Sequence, residues 1–452
     1  MSKNNNQEIV VNEEKYLDRK KLLMMAVGTF VGSGLVSLTG VAAAETGYSV
    51  WLSYIIAVII GFTSALPFVL MSSVMSFRGG TYSIATTFLG GKYGGAFAFL
   101  SLLNALGLAI MATAFGLYVQ SVFDNASIMI SAIAIVGVMW FVNVMGIEFL
   151  ASVQKYTTYI LLISLVVFVA FALPRLNPDT LNFSGPEFFI NGRNGLFAAI
   201  ALLVFSAQSY DVNVYTYSRY TIDSKKNMPW GMTATMVALA LIYGLVSMAA
   251  VGAKDLQSFA GQTLTVPAKA ILPTPLFYAF VIGGPILCLI TTVNGYLGAL
   301  TIGIAKACED NWLPRSFAKT NKKGAYYLII TVVSAVCLIP IIAGLNIGKI
   351  TNITVAIGSL FHIPLIISMG KLPKMFPEEF KNSGLKWLTE KLYYFAIAIA
   401  LLARLFITYI SIAKLSTTLI IALVITAAIC FVFSFVRYKS GQVELSHNYF
   451  FD

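Results

Sequence analysis

A chain of 452 residues that is 58% apolar and only 11% charged cannot cover its hydrocarbon surface as a soluble domain. It reads as an integral membrane protein. Its net charge of +11 comes from Lys and Arg residues scattered over connecting segments, which excludes a nucleic-acid surface and carries topological information instead.

Residues 1–14 are polar and read as a disordered part of a tail over 1–20. Beyond it, twelve runs meet the ~20-residue requirement for a membrane span. They cover about 22–45, 49–75, 94–122, 127–145, 153–173, 194–217, 230–252, 275–305, 325–345, 350–369, 392–412 and 416–436. The first has no small-residue cleavage site behind it and is taken as a span, not a signal peptide. With residues 1–20 placed in the cytoplasm, 23 of the 30 Lys and Arg residues fall on that side. The other side holds Arg175, Arg193, Lys254, Lys269, Lys349 and Lys414, and Arg404 falls inside a span. This bias puts both termini of a multi-pass protein in the cytoplasm. Cys288, Cys308, Cys337 and Cys430 have no metal or redox spacing and are expected as buried free thiols.

The first run is soft at its centre. The stretch GTFVGSGLVSLTG, residues 28–40, places Gly28, Gly32 and Gly34 around Ser33, its midpoint. Irregular backbone at that depth survives only against protein or a water-filled cavity. A half-helix starting after Gly32 offers N–H groups to a carboxylate, and one ending near Phe30 offers carbonyls to an ammonium group or a cation. Gly28 and Gly32 also form a GxxxG pair, which packs membrane helices together, and the glycines alone do not separate the two readings. The sixth run, residues 193–223, supplies a second interruption. Its centre, FSAQSYD at 205–211, sets Ser206, Gln208, Ser209 and Asp211 in an apolar helix. Interrupted spans at matching positions of two oppositely oriented five-helix halves point to an inverted-repeat transporter.

Four stretches resemble the amino acid–polyamine–organocation family of permeases. They are GSG at 32–34, RGGTYSIATTFLGGKYG at 78–94, NVMGIEFLASVQ at 143–154 and AKACEDNWLPRSFAKTNKKG at 305–324. The last is the most specific, with Asp310, Leu313, Pro314, Phe317 and Ala318 in pattern. The resemblance implies an all-α membrane fold of twelve helices. Residues 21–370 would form a ten-helix core, with helices 1–5 and 6–10 as inverted repeats and helices 1 and 6 broken. Residues 371–452 would add helices 11 and 12 and a cytoplasmic tail.

Carried onto this chain, the resemblance implies a substrate between the two broken helices. Backbone N–H groups at Ser33 and Gly34 and the Ser33 hydroxyl would hold a carboxylate. Carbonyls near Thr29, Phe30, Phe205 and Gln208 would hold an amine. Phe205, or Ser206 if the register shifts by one, would close the pocket. Leu103, Asn104, Gly107 and Met111 of the third run and Asn294 and Tyr296 of the eighth would line it. Asn104 and Tyr296 also suit helix packing. Asp211 has three open roles: binding a cationic side chain, carrying a proton, or capping the second half of the broken helix. The chain departs from the family at VYTYSRYTIDSKKNMP, residues 214–229. Ser218 and Arg219 stand there where acidic residues are common, so specificity does not transfer from a familiar member.

The expected function is a secondary active transporter of amino acids in the cytoplasmic membrane, with neutral substrates favoured by the mostly apolar pocket. A cationic amino acid or amine exchanger is the alternative substrate reading. A non-transporting amino acid sensor or germinant receptor subunit is the alternative of another class. Two distant histidines, His362 and His447, make no catalytic or metal set, so no enzyme, metal or cofactor is expected. Coupling to H+ or Na+ is undecided. Thr291 and Thr292 lie in the eighth run, where sodium-coupled relatives use hydroxyls, while Asp211, Glu45, Glu148 and His362 are the groups able to titrate. The expected partners are a small amino acid and the lipid bilayer, without nucleic acid. A homodimer is one option for the assembly.

Overall fold

In lipid, each peptide group must find its partner within its own segment, so apolar runs of this length become helices. The computed structural model describes residues 17–31, 33–77, 79–145, 148–207, 218, 221–253, 255–445 and 449–451. Helices of eight or more residues are α1 (Arg19–Phe30), α2 (Ser33–Thr46), α3 (Val50–Met71), α4 (Gly80–Phe88), α5 (Ala96–Leu103), α6 (Leu106–Val122), α7 (Ile128–Met145) and α8 (Glu148–Ala172). They continue with α9 (Gly192–Ala207), α10 (Ser224–Gly252), α11 (Thr274–Val281), α12 (Leu287–Glu309), α13 (Tyr327–Ile342), α14 (Ile347–Met369), α15 (Glu390–Ile412) and α16 (Thr417–Lys439).

Among the described residues, nine helical stretches are long and apolar enough to cross a membrane. The sequence reading expected twelve runs. The counts differ because Gly34–Met71 is one stretch through the turn at Gly47–Ser49, and because α9 and α13 are shorter apolar helices. All four cysteines are buried and free. The polar tail over 1–14 lies outside the described residues.

Among the described residues, three runs are interrupted. The first breaks between α1 and α2: Asp18 starts α1 by accepting from the Lys21 N–H, and the Val31 N–H closes it on the Val27 carbonyl. The third breaks at Asn104–Ala105, between α5 and α6. The eighth carries a π turn at Ile282–Ile286 around Pro285, which cannot donate to the ladder. Close approaches surround α9, which packs against α2 and α3. A Cβ on Gly34 would stand 2.0 Å from Ser206 Oγ, one on Gly61 2.7 Å from Ala207 Cβ, and one on Gly195 2.2 Å from the Glu45 carbonyl oxygen. Small residues let these backbones meet without a gap.

At the end of the bundle bearing the basic loops, a two-residue antiparallel ladder joins β1 (Ser76–Phe77) to β2 (Tyr449–Phe450). The tail is also held by the Arg315–Glu444 ion pair and by Asn311, whose side-chain amide donates to the Gln442 carbonyl.

Candidate functional site

The interruption in the first run separates the start of α2 from the ladder of α1, and the residues around it explain why that half-helix holds its place. Tyr54 of α3 donates its hydroxyl to the Gly34 carbonyl at 3.2 Å, and Tyr118 of α6 donates to the Val36 carbonyl at 3.0 Å. The Thr39 and Tyr54 hydroxyls lie 2.9 Å apart. Two neighbouring helices thus pin the first turns of α2 by their backbone. Ser206, near the end of α9, is buried against Gly34, and its hydroxyl has no hydrogen-bond partner among the described residues. The Ser37 hydroxyl, one turn beyond Ser33, is in the same state. A buried hydroxyl left unpaired costs about 1–3 kcal/mol, so such groups mark places where another polar group is needed.

The predicted residues fall into two groups. Gly34 and Ser206 meet directly. Thr29 and Phe30 form the last turn of α1, and Ser33 opens α2. Phe205, next to Ser206, is half-buried. The second group lies at the break in the third run. Tyr296 of α12 donates to the Asn104 carbonyl at 3.4 Å, and a Cβ on Gly107 would sit 3.1 Å from the Tyr296 hydroxyl. Because α12 packs against both halves of the first run and against α6, it stands beside both interruptions. Asn104 also lines a small cavity of about 30 Å³ with Thr81, Ser101, Leu300 and Gly303. Gly32, Gln208, Ser209 and Asp211 lie outside the described residues.

Asn294, expected beside Tyr296, is held from α7: the Asn143 side-chain amide donates to its Oδ1 at 2.5 Å, while also donating to the Met139 carbonyl at 2.8 Å. Residues two apart on a helix do not face each other, so Asn294 and Tyr296 have different neighbours. Asn143→Ala should leave the buried Asn294 amide short of a donor and cost about 1–3 kcal/mol, read as a lower melting temperature in detergent. Thr291 and Thr292 both donate to the Cys288 carbonyl of their own helix, at 2.9 and 2.8 Å. His362 is buried with Nδ1 2.7 Å from the Gly358 carbonyl. Glu45 is paired with Lys414 at 3.3 Å.

The quoted motifs interlock, which sequence spacing does not reveal. Asp310 is completely buried; it accepts from Lys306 Nζ at 3.0 Å and from the Tyr82 hydroxyl at 2.7 Å. Burial and the adjacent Asp310 carboxylate push the Tyr82 phenol above its ordinary range, so it remains a donor. A Cβ on Gly95 would meet the Trp312 ring at 2.3 Å. The Asn321 side chain donates to the Val144 carbonyl at 2.7 Å. The second, third and fourth motifs therefore form one polar and aromatic frame below the interruptions.

The frame raises the question of which proteins share it, and a family model decides it. The model described as "Amino acid permease" matches residues 17–436. The chain belongs to the amino acid permease family. Its members are transporters, so the chain is a permease and not an enzyme. It is 23% identical to the branched-chain amino acid permease BcaP of Bacillus subtilis (strain 168), over 91% of this chain and 93% of that protein. It is 22% identical to the histidine permease HisP of Lactococcus lactis subsp. cremoris (strain MG1363), over 74% of this chain and 73% of the relative. The methylthioribose transporter of Bacillus subtilis (strain 168) is 22% identical over 78% of this permease and 81% of its own length.

Proposed function

We propose that this permease is a secondary active transporter that moves neutral amino acids across the cytoplasmic membrane by alternating access. The observation that carries the reading is the meeting of the interrupted α1–α2 segment with Ser206 of α9, where a pinned helix start faces a buried hydroxyl that has no partner among the described residues. A helix N-terminus suits a carboxylate, and the carbonyl end of α1 suits an ammonium group. The reading takes twelve crossings with both termini in the cytoplasm. It takes residues 21–370 as two inverted five-helix repeats. The names of the branched-chain and histidine relatives support an amino acid cargo, and the first of them favours an apolar side chain.

Counterflow in proteoliposomes tests this directly. Vesicles would be loaded with one unlabelled compound from a panel of leucine, histidine, arginine and methylthioribose, then offered the matching labelled compound. Accumulation with leucine inside and little with arginine is the expected result. Ligand-dependent thermal stabilisation with no flux for any compound would replace transport by sensing. Flux with arginine alone would replace a neutral cargo by a cationic one. Imposed sodium and proton gradients then assign the coupling ion.

A further inference from the structure

At the end of α16, two lysines from different parts of the chain share one aromatic ring. Lys92 Nζ and Lys439 Nζ each lie 4.5 Å from the centre of the Phe435 ring, so they are at most twice that distance apart. Lys92 also approaches the Tyr93 ring at 5.2 Å. Their backbones are fixed. The Ser434 hydroxyl donates to the Lys92 carbonyl at 3.1 Å, and Gly91 is pressed against Tyr438 and Leu445.

An aromatic face attracts ammonium groups without neutralising them. Nearby carboxylates are engaged elsewhere: Glu444 with Arg315, and Glu309 and Asp310 with Lys306. Among the described residues, neither Lys92 nor Lys439 joins an ion pair with a carboxylate. The carbonyl end of α16 accounts for a lysine at position 439. It does not account for Lys92, which comes from another helix to the same ring. Two ammonium groups within reach of one ring, neither in an ion pair with a carboxylate among the described residues, suit a bound anion.

The surroundings say which kind. Only 17% of the apolar window of α16 is buried, the smallest share among the nine candidate spans. Ile425, Ile429, Val432 and Val436 form a continuous exposed lane that ends beside Phe435. Tyr93 and Tyr438 are partly exposed at its end, as interfacial aromatic residues are. A charged head above an apolar lane matches a phospholipid better than a dissolved ion.

We propose that Lys92 and Lys439 bind the phosphate of an anionic phospholipid whose acyl chain lies along Ile425–Val436. The site lies apart from the interrupted helices and is independent of the substrate assignment. It uses only the placement of the basic loops on the cytoplasmic side.

Native mass spectrometry of the full-length protein tests it, with phosphatidylglycerol as probe and phosphatidylcholine as the uncharged control. Wild-type protein should retain one phosphatidylglycerol in preference to phosphatidylcholine. At about a factor of five for each lysine near an anionic membrane surface, Lys92→Gln with Lys439→Gln should weaken retention about 30-fold. Lys92→Arg with Lys439→Arg, which keeps both charges, should retain it. Equal retention by the glutamine pair overturns the proposal, as does equal loss by the arginine pair. Millimolar inorganic phosphate should not displace the lipid; full displacement would reassign the site to free anions. The glutamine pair must elute as a monodisperse peak, and its melting temperature in phosphatidylcholine should match wild type. A collapse in that lipid would make the lysines structural and overturn the lipid role.

Discussion

Gly34→Leu should reduce uptake at least tenfold while the protein still reaches the membrane. The added side chain would enter the space of Ser206, whose Oγ and Cβ lie 2.0 and 2.3 Å from an ideal Cβ at position 34. Overpacking of this kind costs about 1–3 kcal/mol, enough to shift a transporter between states. Loss of uptake alone would not separate a packing role from a binding role, because close helix contact explains the glycine too. Ser206→Ala makes the separation. Its hydroxyl is buried and unpartnered among the described residues, so a methyl group there should leave stability unchanged or raise it by up to about 1–3 kcal/mol. If the hydroxyl serves the substrate, uptake should fall as the melting temperature holds or rises. Unchanged uptake kinetics in Ser206→Ala would remove Ser206 from the site. Gly34→Ala combined with Ser206→Gly adds a check, since it relieves the Oγ and Cβ collisions. Recovery of full uptake in that pair would make position 34 a packing position only.

Asp310→Ala should be the most destabilising single change at the basic end. Removing the carboxylate takes from the buried Lys306 ammonium its 3.0 Å partner, leaves the more exposed Glu309 at 3.5 Å, and takes the acceptor from Tyr82. Breaking a buried pair from one side costs about 3–5 kcal/mol, and Glu309 keeps this case near the lower figure. Melting in detergent measures it. Lys306→Met with Asp310→Leu should regain most of the loss, because an apolar pair of similar volume avoids the desolvation of both ions. If the double variant melts no higher than Asp310→Ala, the ion pair is not the source of the loss.

The broad architecture was legible because hydrophobic length is a strong signal. The break in the first run was legible because three glycines fall within seven residues. The expected break appears between Phe30 and Ser33. The Asn104–Ala105 break was not legible, as neither residue is a strong helix breaker and the run around it is uniformly apolar. The π turn had a visible signal in Gly283, Gly284 and Pro285, which hydropathy alone passes over. Gly34 and Ser206 are both expected beside the two interrupted runs, and in the structure they meet directly. Spacing did not reveal the Asn143–Asn294 hydrogen bond, because the two residues are 151 apart in the chain. The Tyr82–Asp310 contact joins residues 228 apart in the chain, a relation no local pattern contains.

The β1–β2 ladder bears on how the protein is made. Ser76 is synthesised long before its partner Phe450, with α4 to α16 between them in the chain. Synthesis runs from the N-terminus, so neither this ladder nor the Arg315–Glu444 pair can form until α16 has been made. The end of the bundle bearing the basic loops therefore takes its final arrangement later than the helices it fastens. A chain cut between α16 and β2 would keep every helix but lack that fastening.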